Sequence, residues 1–243
     1  LEIGVFVSSD IVQRTLVVLA VKLRPGSRDR ILTRWVRSVN GVILGVIRLV
    51  AGARIEIAAR IPFAPGTLVL MNHQSLLDIP LVIECTEAGY PIIVARARYA
   101  KGYPLISHTI RLYGHPTVRP GEHASAQLEA LQRAALTTTR PLVLYPEGSR
   151  SRDGGIRPFK RAGLGAILAA RSWSVHVLVG DGLYGVADLR GFVTGIGGVR
   201  VRVQRAGPFA FDHRRDDAEV FISSMEKTMR DKLAEMRSSA AVA

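Results

Sequence analysis

With one cysteine in 243 residues, Cys85, the chain has no partner for an internal disulfide and no basis for a cysteine-rich metal site. That usage fits a reducing compartment. Cys85 lies in an apolar helical stretch and reads as a packed thiol. Acidic residues are scarce too, 20 against 33 Lys and Arg, for a formal net charge of +13. Such a chain seeks anions: nucleic acid, an anionic membrane surface or phosphorylated small molecules. Aromatics make up only 6%, and no helix-turn-helix, zinc-finger or aromatic RNA-binding motif accompanies the charge, so no nucleic-acid partner is expected. There is no G-x-S-x-G elbow. No His/Asp/Glu cluster offers three ligands, so no metal is expected either. Long hydrophobic runs are missing as well. The best window, "VNGVILGVIRLVAGARIEIAA", is broken by Arg48 and Arg54 and falls short of the ~20 residues a bilayer requires. "TLVVLAVKL" is shorter still, so no segment is expected to span. The chain opens at Leu1 rather than Met, which leaves room for an anchor upstream.

The periodicity points to an α/β fold. A mixed central β-sheet flanked by helices is expected, preceded by an N-terminal helical hairpin over residues 1–57 that breaks at "LRPGSRDR". The main domain then covers 58–243. Strand-like runs fall at Thr67–Met71, Pro91–Ala95, Leu142–Tyr145, Ser174–Val179 and Gly198–Arg205. Helical stretches are expected at Leu76–Glu87, Gly121–Thr138, Arg161–Arg171 and Asp216–Met236. The last has Phe221/Ile222, Met225, Met229, Leu233 and Met236 as its buried stripe. The alternating "VRVRVQR" reads as a half-exposed strand, antiparallel at an edge. From Arg34 to Val50 apolar residues recur at helical spacing beside Arg34, Arg37 and Arg48. Packing onto the core and lying in a membrane interface both fit that pattern.

Three stretches carry chemistry. In "LMNHQSLLDIP", His73 and Asp78 fall where a buried strand hands over to a helix, the place where α/β proteins put reacting groups. Five residues turn a helix through about 140° net, so the pair can meet only if His73 precedes the helix. Asp78 would then fix the tautomer of His73 and leave its other nitrogen as a base. A solvated histidine beside a helix-start carboxylate is the alternative. The stretch "YPEGSRSRDGGIRPFKR" combines Glu147, Gly148, Ser149 and Arg150 with a basic cluster ahead of a helix, a setting suited to phosphate or simply solvated. The third stretch carries Arg96, Arg98, Lys101, Arg111 and Arg119 with no acid among them. Arg119, after the extended "PTV", is a candidate anion ligand or a surface charge.

In this order, the stretches resemble the glycerolipid acyltransferase family typified by 1-acyl-sn-glycerol-3-phosphate acyltransferase. Its N-H-x4-D block matches Asn72, His73 and Asp78. Its second block ends in an arginine, here Arg119. Its F/Y-P-E-G-T/S-R-S block matches Tyr145 to Ser151, followed by Phe159–Lys160. The resemblance covers about residues 35–205. The proline-bearing fourth block departs, with His176 and Val179 where prolines would stand. The second block lacks an acidic neighbour for its arginine.

The resemblance implies transfer of a fatty acyl group from acyl-CoA or acyl carrier protein to the sn-2 hydroxyl of 1-acylglycerol-3-phosphate, with no cofactor besides the acyl donor. His73 is then the base oriented by Asp78. Arg119 and Arg150 anchor the acceptor phosphate, aided by Lys101 and Lys160, and Glu147, Gly148 and Ser149 complete the substrate loop. Backbone N–H groups near Gly148 or Leu76 are the expected oxyanion donors. Implied partners are the acyl donor, a lysophospholipid and an anionic membrane surface, met peripherally from the cytoplasmic face. Another lysolipid acceptor, such as a lyso-ornithine lipid, and a non-catalytic lipid-binding module remain as alternatives.

Overall fold

Thr67–Met71 (β2) is apolar from Leu68 onward because both of its faces are covered, and all five residues are buried in the computed structural model. The structure describes residues 2–119, 124–186 and 197–241. Parallel partners flank β2 on both sides, Leu142–Leu144 (β6) and Trp173–Asp181 (β7). Ile92–Ile93 (β3) adds in parallel beyond β6, and Arg200–Phe211 (β8) runs antiparallel to β7. Arg54–Ile57 (β1) pairs in parallel with β8, giving the order β1-β8-β7-β2-β6-β3. Ala95–Arg96 (β4) and Thr117–Val118 (β5) form a separate two-stranded ladder.

Alternation sends successive side chains to opposite sheet faces. Leu68, Leu70, Val175, Val177 and Val179 pack under Arg161–Leu168 (α7) and Ala218–Ala241 (α8), whose buried stripe is Ile222, Met225, Met229, Leu233 and Met236. Val69, Met71, Leu178, Val201 and Val203 pack under Arg28–Val50 (α3) and Asp78–Cys85 (α4). Each such fully buried aliphatic side chain is worth roughly 1.5–3 kcal/mol relative to exposure. Cys85 is buried there, and burial pushes its thiol up to about 12. It is the packed thiol that its surroundings predict. Arg37 of α3 caps the end of α4 and the turn beyond it, donating to the Thr86 and Gly89 carbonyls.

Four expectations need correction. Residues 54–57 are a strand, and the alternation in "RIEI" is its signature. The strand read at an edge, β8, is covered by β1 and lies inside the sheet. The helix after His73 is shorter than Leu76–Glu87: it begins at Asp78, whose carboxylate takes the N–H groups of Gln74 and Ser75 in the loop ahead of it, and ends at Cys85. The fourth concerns the N-terminus. Glu2–Val12 (α1), a π-helical turn Gln13–Val17 and Val18–Leu23 (α2) run on as continuous helix. Gly4–Leu23 is, by length and composition, long and apolar enough to cross a bilayer, and only 11% of its apolar window is buried. Asp10 and Arg14 break the run in sequence, yet they pair at 2.7 Å one turn apart.

The helical hairpin is present, with α3 as its second arm. Packing onto the core holds for one side of α3, where Leu32, Leu44 and Ile47 are buried against the domain, while Val42, Leu49 and Val50 on it are exposed. Ile106–Tyr113 (α5) follows β4, and Ala124–Thr137 (α6) follows β5. The first residues of the helix expected from Gly121 lie outside the described ones.

Candidate active site

Strand β2 ends at Met71, and the next residue fixes the corner. The Asn72 side-chain amide donates to the Gly180 carbonyl and accepts from the Gly180 N–H, both at 2.8 Å. That two-way bond ties the exit of β2 to the end of β7. Gly180 suits the close approach, since a Cβ there would sit 3.3 Å from the Met71 methyl.

His73 then lies outside the sheet, before α4, as the five-residue spacing requires. Its Nδ1 is 2.8 Å from Asp78 Oδ2. The same oxygen accepts the backbone N–H groups of Gln74 (2.7 Å) and Ser75 (2.8 Å). Asp78 is 1% exposed, and three donors converge on one oxygen, so the carboxylate cannot rotate without stranding buried N–H groups. An acceptor at Nδ1 sets the tautomer with its proton there, leaving the Nε2 lone pair outside this bond. The His73 side chain is 19% exposed, enough for a substrate to reach. On its other side the Tyr145 ring packs at 4.4 Å between centroids. The Tyr145 hydroxyl is buried with no hydrogen-bond partner among the described residues, and burial raises it well above its usual range.

The backbone of His73 is held as firmly as its ring. Its N–H donates to Glu147 Oε1 at 2.8 Å, and its carbonyl accepts from the Ser151 N–H at 2.7 Å. Glu147 Oε2 accepts the Arg157 N–H at 2.8 Å. Both carboxylate oxygens are therefore engaged with backbone, and Glu147 is 1% exposed. Burial pushes its carboxyl up to about 7, against the lowering effect of those two bonds. The resemblance sets Glu147 among substrate contacts, and an acid amid so much positive charge reads as an orienting group; in the structure it joins the loop after β6 to the corner after β2. Gly148 follows in a left-handed turn with φ 68°, and its N–H donates to the Tyr145 carbonyl. That N–H is therefore spent within the turn.

Cationic side chains border this corner. Arg96, at the end of β4, donates through Nη2 to the Gly148 carbonyl. Arg150 Nη2 donates to the Tyr99 hydroxyl at 3.1 Å, as does Arg98 Nη2 at 2.8 Å. Register pairs Arg96 with Val118, so Arg119 follows directly after the partner of Arg96. Arg119 is exposed, and its N–H donates to Gln127 Oε1. Arg96 had stood only as one of several basic residues. Its importance comes from a contact across 52 residues that no local pattern encodes. Lys160 is exposed at the start of α7, its Cγ close to Gly148. Ser149 is half-buried in the same loop. Lys101 lies elsewhere, against the N-terminal helix. Among the described residues no group of three or more His, Cys, Asp or Glu side chains could hold a metal ion.

A buried carboxylate, a histidine with Nε2 outside their bond and a cationic border can deprotonate a hydroxyl beside an anionic group. Comparison with known proteins agrees with that chemistry. Residues 53–179 match the family described as Acyltransferase. The 1-acyl-sn-glycerol-3-phosphate acyltransferase of Cocos nucifera is 29% identical over 107 residues, covering 43% of this chain and 34% of that protein. The protein of the same name from Limnanthes douglasii is 28% identical over 123 residues, covering 49% of this chain and 43% of its own. The chain thus spans between a third and a half of the length of these curated relatives. Among solved structures, the 1-acyl-sn-glycerophosphate acyltransferase PlsC from Thermotoga maritima superposes with a TM-score of 0.61. The match covers 96% of this chain and 93% of that one at 19% identity, which establishes a common fold.

Proposed function

The chain belongs to the acyltransferase family, and from that premise we propose that it acylates the sn-2 hydroxyl of 1-acylglycerol-3-phosphate, using acyl-CoA or acyl carrier protein as donor. The observation that carries the reading is the 2.8 Å His73–Asp78 contact, made through Nδ1 so that Nε2 is left out of it, on a side chain that is 19% exposed. The acceptor hydroxyl gives its proton to His73 Nε2 while its oxygen attacks the thioester carbonyl carbon. The tetrahedral intermediate collapses with cleavage of the C–S bond, and the imidazolium returns the proton to the departing thiolate. Asp78 steadies the imidazolium formed in between. The substrate hydroxyl is the nucleophile, so no serine or cysteine is needed. Arg150 and Arg119, joined by Arg96, attract the acceptor phosphate, and Lys160 adds charge at the α7 start. Glu147, Gly148 and Ser149 shape the loop that carries them, with Glu147 as a positioning residue.

The protein works at the cytoplasmic membrane face, in the interface rather than across it. The N-terminal helix supports this. Gln13 is buried and shares hydrogen bonds with Trp35 Nε1, His108 Nδ1 and Thr109. Drawing that helix across a bilayer would strip those bonds, each costly to lose in an apolar medium. In this reading the helices through α3 are the interfacial segment, and the transferase domain starts at β1.

A second reading keeps the chemistry and changes the acceptor to another lysolipid. His176, buried on β7 where the family carries proline, is the observation in its favour. A thiol-release assay with acyl-CoA against a panel of lysolipids tests both. Release with lysophosphatidic acid and no other acceptor supports the first reading; release only with another lysolipid supports the second. No release with any acceptor, using either acyl-CoA or acyl carrier protein, rejects acyl transfer.

A further inference from the structure

Lys101 lines a cavity of about 390 Å³ together with Asp10 and Arg14 of the N-terminal helix and Tyr103, Ser107 and Arg111. None of His73, Asp78, Glu147, Arg96 or Arg150 reaches it. Three cations there face a single carboxylate, and that carboxylate is already engaged. Asp10 Oδ2 accepts from Arg14 Nε at 2.7 Å, and Oδ1 accepts the Leu105 N–H at 2.8 Å. Leu105 is held at a positive φ of 62°, which a leucine adopts only under constraint. The loop before α5 is thus pinned to the N-terminal helix. Ser107 Oγ is spent on the Tyr99 carbonyl and the Tyr103 N–H. Lys101 has no partner among the described residues, so the cavity presents unspent positive charge and no unspent acid.

Its surroundings identify the occupant. The helix that forms one wall exposes Val7, Ile11, Leu16, Leu19 and Leu23 on its outer side. Tyr103, 44% exposed at the rim, has the amphipathic character of residues found where water meets lipid. An exposed apolar stripe beside a cationic recess matches a lipid in both parts, tail and headgroup. We propose that this cavity binds the phosphate of an anionic membrane phospholipid, a site separate from the arginines that face the acceptor. The lipid is a docking ligand and not a reactant. Its site adjoins the acceptor border, since Ser107 holds the Tyr99 carbonyl while the Tyr99 hydroxyl accepts from Arg150.

The proposal rests on the membrane-surface reading and is independent of acyl transfer. Co-sedimentation with phosphatidylcholine vesicles, alone or mixed with phosphatidylglycerol, tests it on the whole chain. Wild type should prefer the anionic vesicles. Lys101→Glu should weaken anionic binding by about tenfold, in line with near-surface charge energies, and Arg111→Gln should weaken it to a smaller extent. Arg215→Glu makes the same charge change on a side chain that is 86% exposed and far from this cavity in sequence, and should have a much smaller effect. Unchanged thermal midpoints for the variants exclude misfolding as the cause. Equal losses for Lys101→Glu and Arg215→Glu would mean diffuse attraction and overturn the site. Coenzyme A binding that Lys101→Glu abolishes would place a donor in the cavity and overturn it as well. Absence of wild-type binding to either vesicle rejects the membrane reading itself.

Discussion

The corner around His73 and the border of arginines beside it are built in opposite ways. At the corner, Asp78 Oδ2 takes three donors, Glu147 takes two backbone N–H groups, and the Asn72 amide is bonded on both sides. Every one of these bonds reaches backbone or the reacting imidazole, and all three side chains are buried. At the border, Arg96, Arg98 and Arg150 reach a carbonyl or a shared tyrosine hydroxyl through long, partly exposed side chains. The difference teaches where accuracy is required. Proton transfer tolerates little misplacement, so its groups are fixed by neighbours that cannot move. In the proposed reaction, holding the acceptor phosphate needs charge and reach, which arginines supply.

The contrast breaks most visibly at Glu147. Glu147→Gln offers one acceptor oxygen where two N–H groups need one each, leaving a buried donor unsatisfied. We expect kcat to fall by roughly a hundredfold, as displacements of about 1 Å do, with KM for the acceptor changed little. Steady-state kinetics on the folded variant checks this, and a selective rise in acceptor KM would instead make Glu147 a substrate contact. At the border, Arg150→Ala should raise acceptor KM by about tenfold, the worth of one charged hydrogen bond. Donor KM should stay near its wild-type value; equal rises for both substrates would point to general damage.

The smallest effect concerns pH and stability. Glu147 is raised from 4.5 to about 7, so the folded state holds its proton more tightly, and stability falls as pH rises from about 4.5 to 7. His176 is lowered from 6.5 to about 4 by burial, so its contribution is complete above 6.5 and is lost as pH falls toward 4. The two slopes oppose each other between about 4.5 and 6.5. His176→Leu removes one, along with a buried Nδ1 that has no partner among the described residues. Its denaturation midpoint, relative to wild type, should therefore gain as pH drops from 7 to 5. A difference that does not vary with pH would remove His176 from the acid response.

Much of the corner was legible in the sequence, because its parts are local. The run "TLVLM" is apolar on both faces, and His73 and Asp78 are spaced so that they meet only across a strand-to-helix corner. The parts that were not legible depend on distant partners. Glu147 binds a backbone group 74 residues away, and Arg96 reaches one 52 residues away. In the N-terminal helix, Asp10 and Arg14 hid an apolar stripe whose continuity depends on their pairing with each other. "RIEI" alternates as a strand should, yet it follows a long helical pattern that absorbed it.

The most direct test of the account is His73→Ala in the thiol-release assay, with folding and vesicle binding measured on the same preparation. Removing the base while Asp78, Glu147 and the arginines remain should lower kcat by ~10²–10⁴, the range for a lost general base. Thermal midpoint and vesicle binding should match wild type. Retention of a tenth or more of the wild-type kcat in a folded, membrane-binding variant would contradict the central claim, because the hydroxyl would then be losing its proton to some other group.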